Sequence, residues 1–216
     1  MKKFFLLILF LLILNACNST KSTKESSIEN NTPNNIEVVT SNLLTQEDIE
    51  IKKVTQQYLN ALKTFNINNI MAFTYPKLFT VTSKYLYKGS IYTMINSSNI
   101  KINSFNTIIS SIKKVQPFSN GRFTTINYTS IINIKFLNPN LYNNELSLNT
   151  LQSILSKKYG QSNIYVDKIK RTIKIIKEEK LLAIKENNTN WKFVGDNTAY
   201  RVLYPHFIPN DILGKI

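Results

Sequence analysis

Between Arg122 and Phe136 the chain alternates with a period of two. Ile126, Tyr128, Ile132, Ile134 and Phe136 hold even positions, while Thr125, Asn127, Thr129, Asn133 and Lys135 hold odd ones. Successive side chains of a strand point to opposite faces, so this run predicts one long strand with a buried face and a polar face. Ser119-Asn120-Gly121 directly before it is a hairpin signal. It pairs the long strand with another near Thr107–Phe118.

The residues ahead of this hairpin change period. Thr45 with Asp48 three positions later can form a capping box, and Gln46, Glu47 and Asp48 suit a helix start. Ile51, Val54, Tyr58, Ala61, Leu62 and Phe65 then recur at helical spacing. Asn66 or Asn68 offers the next cap, for a short helix that Pro76 stops beyond Thr74. A third helical pattern covers about Lys84 to Asn96, with Leu86, Ser90, Ile91, Met94 and Ile95 on one side.

After the long strand, a further helix is expected near 146–159, with Leu148, Leu151, Ile154 and Leu155 on its face and Gly160 as its C-terminal cap. Two strands are expected near Ile164–Ile176 and Leu181–Glu186, although Ile169, Ile173 and Ile176 also fit a helix. Asn187–Asn190 turns into a last strand, Trp191–Gly195. Helices first and long antiparallel hairpins afterwards predict an α+β class, with N-terminal helices packed on one face of a curved antiparallel sheet.

"YLNALKTFNINNIMAFTYPKLF" (58–79) resembles the opening of the nuclear transport factor 2-like superfamily: a long helix, a polar break, a short helix and an exit through proline. "NTNWKFVGDN" (188–197) is similar to its terminal hairpin, and "HFIPNDILGKI" resembles the closing segment of its lipoprotein-attached members. The resemblance implies a cone of sheet and helices that often encloses a pocket. Some members are isomerases, dehydratases or polyketide cyclases, and others only bind ligands or partners. The helix near 146–159 departs from the simplest version of that family and leaves the strand order open.

At the N-terminus, Lys2 and Lys3 precede an apolar run from Phe4 to Leu14. The run is too short to span a bilayer and has the length of a secretory signal. Leu14-Asn15-Ala16-Cys17 then resembles a bacterial lipobox, with Leu14 and Ala16 fitting and Asn15 more polar than the usual occupant. That resemblance implies removal of 1–16 as a lipoprotein signal peptide and acylation of Cys17, the only cysteine. A buried structural thiol, an ordinary signal-peptidase cut and an uncleaved anchor are the competing readings. Residues 17–44, from Cys17 through a stretch rich in Ser, Thr and Asn, read as the lipidated N-terminus and a disordered tether. The domain itself is expected over 45–216. Lipid anchoring places it in a bacterial cell envelope. Asn18 stands where an Asp can act as an inner-membrane retention signal, which favours the outer membrane if the cell has two.

The formal charge is +14, and its distribution matters more than its size. From Ile51 to Asn144 there is no Asp or Glu against 11 Lys and Arg. Such a field favours weak attraction to anionic surfaces. Nucleic acid is not expected as a partner, because only three of the 27 basic residues are Arg and no recognition motif is present.

Chemistry-bearing residues are few. With Cys17 acylated no thiol remains, and the one histidine, His206, lies between Pro205 and Phe207 in the tail. Asp196 beside Gly195 and Asn197 reads as a turn residue. Asp167, between Val166 and Lys168, reads most simply as the partner of a lysine. No metal-ligand spacing and no glycine-rich phosphate loop occur, so neither metal nor cofactor is expected. Two functions stay open. One is a non-catalytic module binding an apolar ligand, a glycan or an envelope protein. The alternative is an isomerase or cyclase in the cone pocket, with Asp167 or His206 as base and a tyrosine as acid.

Overall fold

In the computed structural model, which describes residues 45–140 and 142–216, the chain enters the fold through the expected capping box. The Asp48 N–H donates to Thr45 Oγ1 at 3.1 Å, and the Thr45 N–H donates to the Asp48 carboxylate at 3.0 Å. Two donors at the helix start are thereby satisfied, and α1 runs over Gln46–Lys63. Phe65 takes a left-handed φ of 51°, Asn66 caps α2 (Ile67–Phe73), and the chain leaves it before Pro76. Ser83 caps α3 (Lys84–Ile95), which contributes no buried residue to the core.

The sheet follows: β1 (Ile100–Ile112), β2 (Gln116–Phe118), β3 (Gly121–Phe136), β4 (Ile164–Asp167), β5 (Thr172–Glu186) and β6 (Lys192–Gly195). All neighbours are antiparallel, in the order β1-β3-β5-β4, with β2 beside β3 and β6 beside β5. The α+β class, with helices preceding an antiparallel sheet, is therefore present. The helix expected near 146–159 is α4 (Glu145–Tyr159), ending at Gly160 with φ 91°. Its Leu148, Leu151 and Leu155 are buried against Ile134, Ile164 and Ile173. Three leucines at roughly 1.5–3 kcal/mol each hold this helix to the sheet, while Ile154 stays half exposed.

Two strand expectations need correction. The first strand does not start near Thr107 but at Ile100, and a break at Lys113–Val115 separates it from β2. Its register shifts between Ile102 and Ser104 and again between Ile109 and Ser111. Each irregularity displaces the inward phase by one residue, which erases the period-two pattern a sequence reading depends on. Ile164–Ile176 is likewise not one strand: the chain turns over at Lys168–Arg171, with Arg171 at φ 52°, and β5 then continues unbroken to Glu186. Pairing along the full length of β3, from Gly121↔Glu186 to Lys135↔Thr172, carries β5 through the charged run 177–180.

The inner face holds two apolar clusters, one under α4 and one under α1 and α2. On the opposite face, at the β2–β6 end, Phe123, Leu182, Ile184 and Val194 are covered by the tail residues Tyr204, Phe207, Ile208 and Ile212. The tail includes α5 (Thr198–Arg201) and α6 (Asn210–Leu213). Asp196 is buried here, receiving Arg201 Nε at 2.6 Å and Nη2 at 3.0 Å. It latches the tail rather than only making a turn.

Gly121, after the two-residue turn Ser119-Asn120, sits at φ 153°. A Cβ there would lie 2.0 Å from the Lys185 carbonyl oxygen, and a backbone atom cannot swing away. Gly121→Ala is expected to cost about 1–3 kcal/mol through displacement of the β3–β5 ladder, read as a lower denaturant midpoint.

Candidate functional site

The helices and the inner sheet face do not close completely on one another. They leave a cavity of about 110 Å³. From α1 come Tyr58 and Leu62, and from the α1–α2 region Phe65, Ile70 and Thr74. The sheet supplies Ile102 and Phe105 of β1, Tyr128 and Ile132 of β3, Leu181 of β5 and Phe193 of β6. Tyr58 stacks flat on Phe193, with ring centroids 4.7 Å apart. On α3, Tyr87, Ser90, Ile91 and Met94 line the cavity at i, i+3, i+4 and i+7, the spacing of one helix face.

One acidic side chain enters this apolar lining. Glu179 is buried on β5 directly opposite Tyr128 of β3, so both point to the inner face. The Tyr128 hydroxyl donates to Glu179 Oε2, and the Lys177 ammonium pairs with Oε1. Lys177 is also buried and lies 6.0 Å from the Tyr159 ring centroid. Burial pulls the Lys177 ammonium below its ordinary pKa, and the facing Glu179 carboxylate opposes that pull. Beside this pair, Ser130 Oγ and the Tyr159 hydroxyl are buried with no hydrogen-bond partner among the described residues.

A group of phenols completes the polar content. Burial pushes Tyr58, Tyr128 and Tyr200 well above the usual tyrosine range, with the Glu179 charge adding to the effect at Tyr58 and Tyr128. Tyr87 is raised by burial as well, and the neighbouring Thr74 and Tyr200 side chains oppose part of that rise. These hydroxyls therefore keep their protons at neutral pH and act as hydrogen-bond donors. The arrangement can hold an apolar body and orient one polar group on it.

The residues singled out in the sequence lie elsewhere. Asp167 ends β4 at the turn, where its carboxylate accepts from the Lys170 N–H at 2.8 Å. That backbone hydrogen bond holds its carboxyl below the ordinary aspartate range. His206 is exposed in a single 3₁₀ turn of the tail. Neither lines the cavity, and the structure does not bring them to a tyrosine inside it. Cys17, with the expected lipobox and tether, lies outside the described residues.

Glu179 escaped the sequence reading because it sits in "KEEK" (177–180), which looks like a solvated charge run. The signal was nevertheless present. Ile173, Ile175, Leu181 and Ala183 are inward odd positions, and continuing their phase places Lys177 and Glu179 inward as well.

Among the described residues, no three His, Cys, Asp or Glu side chains group as a metal site, and no helix is long and apolar enough to cross a membrane. No family model matches the sequence, and no curated protein matches it.

Proposed function

We propose that this chain is a membrane-tethered cell-envelope lipoprotein whose nuclear transport factor 2-like cone binds a small apolar ligand without transforming it. The cavity lined by Ile, Leu, Phe, Met and Tyr carries this reading. The order of long helix, short helix and antiparallel hairpins supports the family assignment, and Leu14-Asn15-Ala16-Cys17 supports the anchor. A volume near 110 Å³ is below the about 150 Å³ of an apolar cavity that holds benzene, which limits the ligand to a small ring or a short acyl segment. A glycan fits less well, because it needs many polar anchors.

The test is thermal stability against benzene and short-chain alcohols. A ligand at ten times its Kd is expected to add about 1.4 kcal/mol of stability. Ser90→Leu projects a larger side chain into the same space. It is expected to abolish that gain while costing the unliganded domain no more than about 1–3 kcal/mol. A gain that persists unchanged in Ser90→Leu, or no gain from any of these probes, counts against the cavity as the binding site.

A second reading, an isomerase or cyclase in the same cavity, rests on Glu179 beside Tyr128. The base would then be Glu179 and not Asp167 or His206. Turnover of a bound carbonyl compound that Glu179→Gln abolishes while binding continues would decide for the enzyme.

A further inference from the structure

Helix α3 has two faces, and only one of them is accounted for by the fold. Tyr87, Ser90, Ile91 and Met94 turn towards the cavity. Tyr85, Lys88, Tyr92 and Ile95 recur at i, i+3, i+7 and i+10 on the other side, with Lys84 flanking them. Tyr85 is 83% exposed, Tyr92 61% and Ile95 40%. A surface helix ordinarily presents charged and polar groups outward. This one presents two aromatic rings, an isoleucine and the Lys88 ammonium group, with the Lys84 ammonium at its edge 5.5 Å from the Phe79 ring centroid.

We infer that the outer face of α3 docks on an anionic lipid surface. Tyrosines favour the water–lipid interface, where the ring is buried and the hydroxyl stays wet, and lysines extend their ammonium groups to lipid phosphates. Charge complementarity points to lipid: neither α3 nor any residue from Ile51 to Asn144 carries a carboxylate, against 11 Lys and Arg in that span. The anchor points the same way. The 28 residues from Cys17 to Leu44 can hold Thr45 no further than on the order of 100 Å from an acylated Cys17. The inference rests on the membrane tethering proposed above. It adds an orientation, with the helix that lines the cavity facing the bilayer.

The experiment uses the full chain reconstituted in phosphatidylcholine vesicles, with or without phosphatidylglycerol, and with brominated acyl chains as short-range quenchers. Tyr92→Trp reports from the outer face of α3, and Ile169→Trp, at a position 94% exposed in the β4–β5 turn, is the control. Trp191 is buried and its emission is subtracted as the wild-type background. Strong quenching at position 92 and little at 169 is expected, more so with phosphatidylglycerol. Lys84→Gln with Lys88→Gln is expected to reduce the docked-to-undocked ratio about thirtyfold. Equal quenching at 92 and 169, or quenching at 92 that ignores both phosphatidylglycerol and the lysine variants, overturns the proposal. A concentration-dependent blue shift at 92 without vesicles assigns the face to a second copy and also overturns it. Intact mass of the same sample reports Cys17 acylation separately. An unmodified Cys17 therefore removes the tethering reading without altering what position 92 reports.

Discussion

Replacing Lys177 with methionine is expected to destabilise the domain by about 3–5 kcal/mol, because it leaves the Glu179 carboxyl group buried without its cationic partner. Lys177 and Glu179 are 4% and 5% exposed, so water cannot substitute for the missing ammonium group. The ion pair itself has little net worth for stability, since two charges must be desolvated to form it. Removing the whole arrangement is therefore a different experiment from breaking it. Lys177→Met with Glu179→Leu and Tyr128→Phe takes away both charges and the hydroxyl that donates to Glu179. The triple variant is expected to unfold within about 1–2 kcal/mol of the parent, so that the three changes are strongly non-additive. Denaturant midpoints at constant m-value measure both results. A single variant costing under about 1 kcal/mol would show that the pair is hydrated in solution.

Alkaline titration is expected to unfold the domain steeply above about pH 10. Burial raises Tyr58, Tyr75 and Tyr128 far above the ordinary tyrosine value, and the hydrogen bond to Glu186 adds to the effect at Tyr75. All three are at most 5% exposed. The unfolded chain releases these protons around pH 10 while the folded chain retains them, so the stability they protect is complete below that pH and falls as pH rises. Each contributes about 1.4 kcal/mol per pH unit, or about 4 kcal/mol per unit for the three. A domain of ordinary stability, about 5–15 kcal/mol, then reaches its midpoint within roughly one to four units. Tyrosinate absorbance and circular dichroism should change together for the buried group. Complete tyrosinate formation near pH 10 in a chain that keeps its native circular dichroism would falsify the burial of these phenols.

The parts of the fold legible in the sequence are those whose determinants are local. Thr45 and Asp48 lie one helical turn apart, so their mutual hydrogen bonds define the start of α1 without help from the rest of the chain. The alternation of β3 survives because no bulge interrupts its pairing with β5. β1 has the same inward-facing chemistry but two register shifts, and its first residues therefore went unread. In the same way, the charged run 177–180 looked like an interruption between two strands, although β5 passes through it.

By itself, then, the sequence determined the kind of α1 and of β3, the α+β order, and the Leu14-Asn15-Ala16-Cys17 motif on which the proposed anchor rests. Capping, periodicity and a four-residue motif all depend on near neighbours along the chain. The phase of β5 puts Glu179 on the inward face, but only tertiary structure decided that this part of the face meets the cavity. Asp167 and Glu179 both occur in strand-forming stretches beside lysines. The first ends at an exposed turn, and the second is buried because β5 pairs across β3 with Tyr128 directly opposite. Burial of a charge depends on what a partner strand brings to the same face, and that partner lies 51 residues away.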